Sequence, residues 1–385
     1  MIYIHIPFCR SFCTYCGFYS ELLCSCGGQP DRQLESFAEA LSEEYADRMT
    51  ESFRTPDTLY IGGGTPSVLP FPVLSAIVRA VSGGGSRHFS EFTVEVNPDD
   101  IISGGYGYVE NLLSIGAGRI SMGIQSLDDG VLKWMNRRHD SASAVEAYSM
   151  LRRAGVANVS IDLIFGASMI GNDMWRSTLE KILAMPGGPP DHVSAYQLSV
   201  EPDTALDSLL RKGRYREADE ETCGTQYGIL CDVLGDAGYH HYEVSNFALP
   251  GKEAAHNSAY WSGLPYLGLG PGAHSYSIHD GVRVRSWNLP SVRDYTAAYH
   301  SADASLRRSV RESETLTEAQ TGIERIMLSL RTDAGIPEEE LWKYGAREGI
   351  EKMLSSGNIV RLGNGRIRIP EEKFFISDSV IAGLI

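Results

Sequence analysis

The residues best suited to chemistry lie near the start of the chain, in "YIHIPFCRSFCTYCGF" (residues 3–18), where Cys9, Cys13 and Cys16 are spaced C-x3-C-x2-C. Thiolates this close in sequence can wrap a soft metal centre, which means zinc or an iron-sulfur cluster. Structural zinc wants four ligands, usually as two C-x2-C knuckles, and this loop has no second knuckle. An iron-sulfur cube held by three cysteines leaves one iron without a protein ligand, the open position that chemistry or an exchangeable ligand requires. The bland alternative is three buried cysteines acting as small hydrophobes, and their spacing suits no single helix or strand face. Of the seven cysteines, Cys24 and Cys26 form an adventitious-looking C-x-C, and Cys223 and Cys231 sit in helical sequence without a partner motif. An odd number with no export signal reads as reduced thiols, not a disulfide framework.

A second set of polar residues falls at the ends of short β-rich runs. "IGGGTPS" (61–67) brings Gly63, Gly64 and Thr65, whose backbone N–H groups can approach a ligand carboxylate; the plain alternative is a Gly-rich turn. "EVNP" (95–98) supplies Glu95, an acceptor for hydroxyls or a cation, or simply an exposed Glu before an Asn-Pro turn. "GIQS" supplies Gln125 and "NRRH" supplies Arg137. Asp162 stands among Ile161, Leu163 and Ile164, where a carboxylate is costly unless it is paired or faces a polar site. Arg137 is its expected partner, in a ligand site or a purely structural ion pair.

The elements that must position these groups read as alternating strands and helices. Runs at 3–6, 58–61, 92–96, 119–124, 159–165 and 192–198 predict six parallel strands. Between them lie amphipathic helices, for example over 31–49 (Leu34, Phe37, Ala38, Leu41, Tyr45) and 173–185 (Trp175, Leu179, Ile182, Leu183). The fold class is α/β, a partial (β/α)6 TIM-like barrel over 1–245, with its polar groups at the strand C-termini where such barrels build sites. Residues 246–305 read as a loop-rich connector, and 306–385 as a small winged-helix-like α+β domain with a hairpin at Gly363-Asn364-Gly365.

Composition bounds the rest. The chain has 385 residues, 43% of them hydrophobic and 22% charged, which are ordinary globular proportions. Its formal charge of -15 opposes general binding to nucleic acid or anionic membrane. No apolar run is long enough for an integral membrane segment, and the first residues lack a leader pattern. The protein is expected in the cytoplasm, as a monomer or weak homodimer.

The cysteine string, directly after a first strand and with Tyr15 before its last Cys, resembles the cluster motif of the radical S-adenosylmethionine (SAM) superfamily. From Tyr3 to "FFISDSVI" the strings are similar, in order, to one branch: the oxygen-independent coproporphyrinogen III oxidases and their paralogues, the HemW-type heme chaperones. The resemblance implies a 4Fe-4S cluster on Cys9, Cys13 and Cys16, with the open iron chelated by SAM, whose reductive cleavage gives a deoxyadenosyl radical. It also implies SAM contacts from Tyr3, Gly63, Gly64, Thr65, Glu95, Gln125, Arg137 and Asp162.

Two differences separate the branches. The oxidases carry a further Cys two residues after the third ligand, where this chain has Phe18, and a long N-terminal arm, where this sequence has eight residues before Cys9. The chaperones carry H-N-x-x-Y-W, present here as His256, Asn257, Tyr260 and Trp261. An imidazole beside Tyr and Trp suits heme, as axial ligand and flat apolar surface, and equally suits a structural tie with Trp261 packed on the barrel. His240, His241 and His274 are alternative heme ligands, whereas His5 reads as a satisfied core residue. After "DLIFG" the family's Leu-Pro-Gly-Gln-Thr is replaced by "ASMIGND" (167–173). The resemblance therefore implies a heme chaperone that passes heme to an acceptor protein, its cluster and SAM serving assembly or regulation and its catalytic residues unassigned. The alternatives are a coproporphyrinogen III oxidase and a metal-stabilised scaffold that binds neither heme nor SAM.

Overall fold

The computed structural model describes residues 1–23, 30–49, 57–85 and 87–385, so Cys24 and Cys26 lie outside the described residues. The six expected strands are β1 (Ile2–Ile6), β2 (Thr58–Gly63), β3 (Glu91–Val96), β4 (Arg119–Gln125), β5 (Asn158–Phe165) and β6 (His192–Gln197). They pair in parallel in that order. In β5, every residue but Asn158 and Asp162 is buried, the near-continuous apolar run expected of a strand covered on both faces.

Helices α1 (Pro30–Arg48), α2 (Phe71–Val81), α3 (Pro98–Ser114), α4 (Ser141–Arg153), α5 (Asn172–Leu183) and α6 (Glu220–Asp236) each follow a strand. Their apolar stripes face the sheet: Leu34, Phe37 and Leu41 of α1 are buried, with Phe37 edge-on to Phe8 at 5.2 Å. Trp175 of α5 packs on Phe165 of β5 at 5.7 Å and donates to the Gln226 carbonyl of α6 at 2.9 Å. Burying each such side chain stabilises the fold by roughly 1.5–3 kcal/mol.

Beyond β6 the chain is more regular than its sequence suggests. A hairpin of β7 (His240–Glu243) and β8 (Asn246–Ala248) pairs antiparallel to β6. The boundary expected at 245 falls in its turn. The stretch read as a loop-rich connector instead holds α7 (Ala255–Trp261), β9 (Leu267–Leu269), β10 (His274–His279), β11 (Val282–Asn288) and α8 (Val292–Tyr299). β9 adds in parallel to β1, with Ile2 opposite Leu267 and Ile4 opposite Leu269, and makes a seventh parallel strand. A three-residue strand around a glycine has no period to detect, and its hydrogen bonds come from a partner some 260 residues earlier. β11 pairs in turn with β12 (Arg311–Leu316), so one antiparallel sheet spans the boundary expected at 305.

This segment is fastened to the barrel through α1. Glu44, fully buried, accepts from Arg48 at 2.9 Å, Asn288 at 2.8 Å, the Gly270 backbone N–H at 2.8 Å and the Tyr295 hydroxyl at 2.6 Å. The C-terminal part follows the order read from the sequence: α9 (Glu318–Ser329), β13 (Ile336–Pro337), α10 (Glu338–Tyr344), α11 (Arg347–Ser355), then the hairpin β14 (Val360–Arg361) and β15 (Arg366–Arg368). α9 starts on a capping box, with Thr317 and Gln320 exchanging hydrogen bonds.

Candidate functional site

Cys9, Cys13 and Cys16 are free, half-buried thiols that line a cleft of about 1310 Å³ at the C-terminal ends of the strands. The loop bearing them is pinned to the segment after β4: Thr14 donates to the Trp134 carbonyl at 2.8 Å, and Asn136 donates to the Phe12 carbonyl at 2.7 Å. The Cys9 sulfur lies 3.5 Å from the Thr65 hydroxyl, and Arg137 Nη1 donates to the Cys13 sulfur at 3.4 Å. Burial pushes the Cys16 thiol up to about 11 and raises Cys9 as well, so bare thiolates there want a positive centre.

The glycine string supplies the opposite wall. Gly63, at φ +109°, donates its N–H to Glu95 Oε2 at 3.1 Å. A Cβ on Gly64 would stand 2.8 Å from the Phe8 carbonyl oxygen and 3.1 Å from the Cys9 sulfur, so only glycine lets this turn approach the cysteine loop. Glu95 also accepts from the Tyr60 hydroxyl at 2.7 Å. Burial lifts its carboxyl to about 7, helped by the nearby Asp162 and opposed by the Tyr60 hydrogen bond.

Arg137 is anchored by Nη2 on both the Asn97 side-chain oxygen and the Gly123 carbonyl, each at 2.6 Å. It therefore does not pair with Asp162, as the sequence led us to expect. Asp162 instead accepts from Ser121 at 3.2 Å; burial raises its carboxyl, while Ser194 and the charge of Arg119 oppose the shift. Gln125 lines the same cleft from a left-handed backbone (φ +67°), at a register shift between β4 and β5. Seven of the eight residues that the resemblance assigned to SAM thus share one cleft with the three cysteines. The eighth, Tyr3, does not line it: its hydroxyl bonds His5 Nδ1 at 3.0 Å, and its ring stands behind Tyr60 at 6.1 Å. His5 is satisfied on its other nitrogen by the Tyr19 carbonyl at 2.8 Å.

The H-N-x-x-Y-W residues divide. Asn257 lines the cleft, but His256 does not. His256 is buried, with Nδ1 bonded to Thr58 at 2.7 Å and Nε2 to the Tyr260 hydroxyl at 3.1 Å. Both ring nitrogens have protein partners, the arrangement of a structural tie. Of the alternative ligands, His241 is buried against Phe247 at 4.0 Å, His240 bonds Asp333, and His274 stacks on Trp287 at 5.8 Å. Trp261 is half-buried at the end of α7.

Sequence reasoning missed Tyr60, Asn97 and Arg119. Arg119 is buried at the floor of the cleft with no partner for Nε. A charge opening the apolar run "RISMGIQ" is the same kind of signal that singled out Asp162. Gln226 was also missed: it accepts from the Gly166 N–H at 2.8 Å and donates to the Ile170 carbonyl at 2.6 Å, so α6 holds the altered "ASMIGND" loop.

Among the described residues no group of three His, Cys, Asp or Glu is placed to hold a single metal ion. Three free thiols along one wall of a roomy cleft, with Gly64 packed so closely on the Phe8 and Ile6 carbonyls beside Cys9 that a Cβ would clash, suit a larger multi-iron centre with one open iron. A parallel partial barrel with this cleft at its strand ends defines a protein of the radical SAM class, and a Radical SAM superfamily model matches residues 3–182. The chain is 35% identical to heme chaperone HemW of Lactococcus lactis, over 87% of this chain and 82% of that protein. It is 32% identical to heme chaperone HemW of Mycobacterium tuberculosis, over 100% and 94%. Among solved structures, coproporphyrinogen III oxidase (HemN) from Escherichia coli superimposes with a TM-score of 0.78 over 99% of this chain and 89% of that one, at 19% identity, which shows the shared fold. The chain belongs to the HemW family of the radical SAM superfamily. That membership implies a 4Fe-4S cluster and SAM.

Proposed function

We propose that the protein is a heme chaperone: it binds heme and a SAM-chelated 4Fe-4S cluster, and passes heme to an acceptor protein in the cytoplasm. The observation that carries this reading is the identity of 32–35% to proteins named heme chaperone HemW across 87–100% of the chain. Phe18, where the oxidases place an additional cysteine, points the same way.

When bound, the cluster and SAM supply reductive cleavage of the sulfonium or, unreduced, a structural and regulatory centre. The chain's own residues bind and orient. Cys9, Cys13 and Cys16 would hold the cluster, and the backbone of Gly63, Gly64 and Thr65 would face the SAM carboxylate. Glu95 offers a carboxylate for ribose hydroxyls or the sulfonium charge, braced by Tyr60 and the Gly63 N–H. Arg137 holds Cys13, Asn97 and Gly123 in one frame.

Anaerobic cluster reconstitution followed by two assays tests the reading. Retained heme, with transfer to an apo-acceptor and no protoporphyrinogen formed, is the expected result. Decarboxylation of coproporphyrinogen III would replace the chaperone with the oxidase, and absence of both heme binding and SAM cleavage would leave a scaffold.

A further inference from the structure

A second cavity, of about 740 Å³, lies behind α7. α7 is the partition between the two: Asn257 lines the cofactor cleft, and Tyr260, one turn on, lines the second cavity. His256 fixes that partition through Thr58 and Tyr260, and its ring lies 5.2 Å from that of Tyr60. Moving the wall means breaking two hydrogen bonds of a buried imidazole.

The second cavity combines tyrosine rings with basic side chains. Tyr260, Tyr266, Tyr276 and Tyr344 line it, with Tyr260 edge-on to Tyr266 at 4.6 Å. Four cations, Arg283, Arg285, Arg325 and Lys343, stand against three lining carboxylates, in a chain whose net charge is -15. Arg285 is engaged by Glu324 at 2.5 Å, Arg325 by Glu340 at 3.0 Å and Lys343 by Glu318 at 2.8 Å. Arg283, half-buried beside Tyr276, has no carboxylate within ion-pair distance among the described residues. The cofactor cleft also holds cations, but Arg137 is engaged by Cys13, Asn97 and the Gly123 carbonyl, and the charge of Arg119 is offset by the nearby Glu95 and Asp162. Ile278, 40% exposed, sits among the lining residues, so the cavity reaches solvent without passing through the cleft.

We propose that this second cavity is the heme site, with the tyrosine rings against the macrocycle and Arg283 and its basic neighbours taking the propionate carboxylates. Aromatic faces suit a flat apolar ring, and a guanidinium suits a carboxylate in bidentate geometry. The inference rests on the heme-chaperone reading. It assigns delivery to one side of α7 and the cluster to the other, with Asn257 and Tyr260 on one helix linking them.

The test is titration of the reconstituted full-length protein with heme and with heme dimethyl ester, which lacks the two carboxylate charges, followed by Soret absorbance. The wild type is expected to bind heme at least about tenfold more tightly than the ester, the worth of one good charge pair. Arg283→Glu should abolish that preference, Arg283→Lys should restore part of it, and Ile278→Trp, which fills the cavity, should weaken both ligands. Cluster absorbance and SAM binding should stay at wild-type levels in all three. Wild-type heme binding and ester discrimination in Arg283→Glu and Ile278→Trp would overturn the site and leave the chaperone reading standing. A wild type that binds no heme would remove that reading itself.

Discussion

The Tyr60 hydroxyl donates to the Glu95 carboxylate at 2.7 Å, and this pair marks how the barrel handles charge. Among the described residues, burial pushes up four carboxyls: Glu95 to about 7, Asp100, Asp162, and Glu243 to about 7. Glu95 and Asp162 line the cleft, where a bound ligand can compensate their charge. Glu243 is fully buried away from it, beside Asn246, and neither of its oxygens finds a well-formed hydrogen bond.

Glu243 therefore costs stability at neutral pH. Its folded pKa of about 7 lies above its ordinary value of 4.5, so the folded state binds the extra proton. Stability from this group is full below the ordinary value and is lost as pH rises through about 7. Thermal unfolding of apo wild type and Glu243→Gln should show the variant gaining on the wild type between pH 5.5 and pH 8. A melting-temperature difference that does not change with pH would mean that Glu243 titrates normally.

Gly64→Ala puts a methyl group 2.8 Å from one backbone carbonyl and 2.9 Å from another, and beside the Cys9 sulfur. Overpacking of this kind costs about 1–3 kcal/mol, and here relief comes by shifting the cysteine loop. Iron content and the visible absorbance of reconstituted protein are expected to fall by more than half while the fold persists by circular dichroism.

Glu44→Gln removes the buried carboxylate charge that Arg48 donates to and weakens the bonds to Asn288 and Tyr295. Removing one partner of a buried pair costs about 3–5 kcal/mol. Because this cluster joins α1 to β9, β11 and α8, the expected outcome is a single lowered unfolding transition. Two separate transitions would show that the segment after residue 245 melts independently.

His256→Ala removes the bonds to Thr58 and Tyr260 and leaves a void in the α7 wall. We expect a loss of about 1–3 kcal/mol in chemical denaturation. The Soret maximum of the heme complex should stay where the wild type has it, since both ring nitrogens are already engaged within the protein. A shift of that band would restore His256 as an axial ligand.

The sequence was informative where period and local spacing carry meaning. β1 to β6 were legible because β-branched and aliphatic runs recur between amphipathic helices, and Asp162 because a carboxylate in such a run needs a reason. β9 was not, because three residues around Gly268 carry no period. The pairing of Arg137 was misread for a related cause. Opposite charge suggested Asp162, whereas the turn after β4 delivers the guanidinium to Asn97 and the Gly123 carbonyl.

The sequence by itself determined the thiols, their spacing, the strand-end polar residues and the family, because each is local along the chain. Only the tertiary structure decided that Tyr3 stands behind Tyr60, that Arg119 comes to the cleft floor, and that His256 bonds Thr58 and Tyr260. Those outcomes depend on which atoms reach each other across strands far apart in sequence, and a buried donor takes the nearest acceptor that the fold presents.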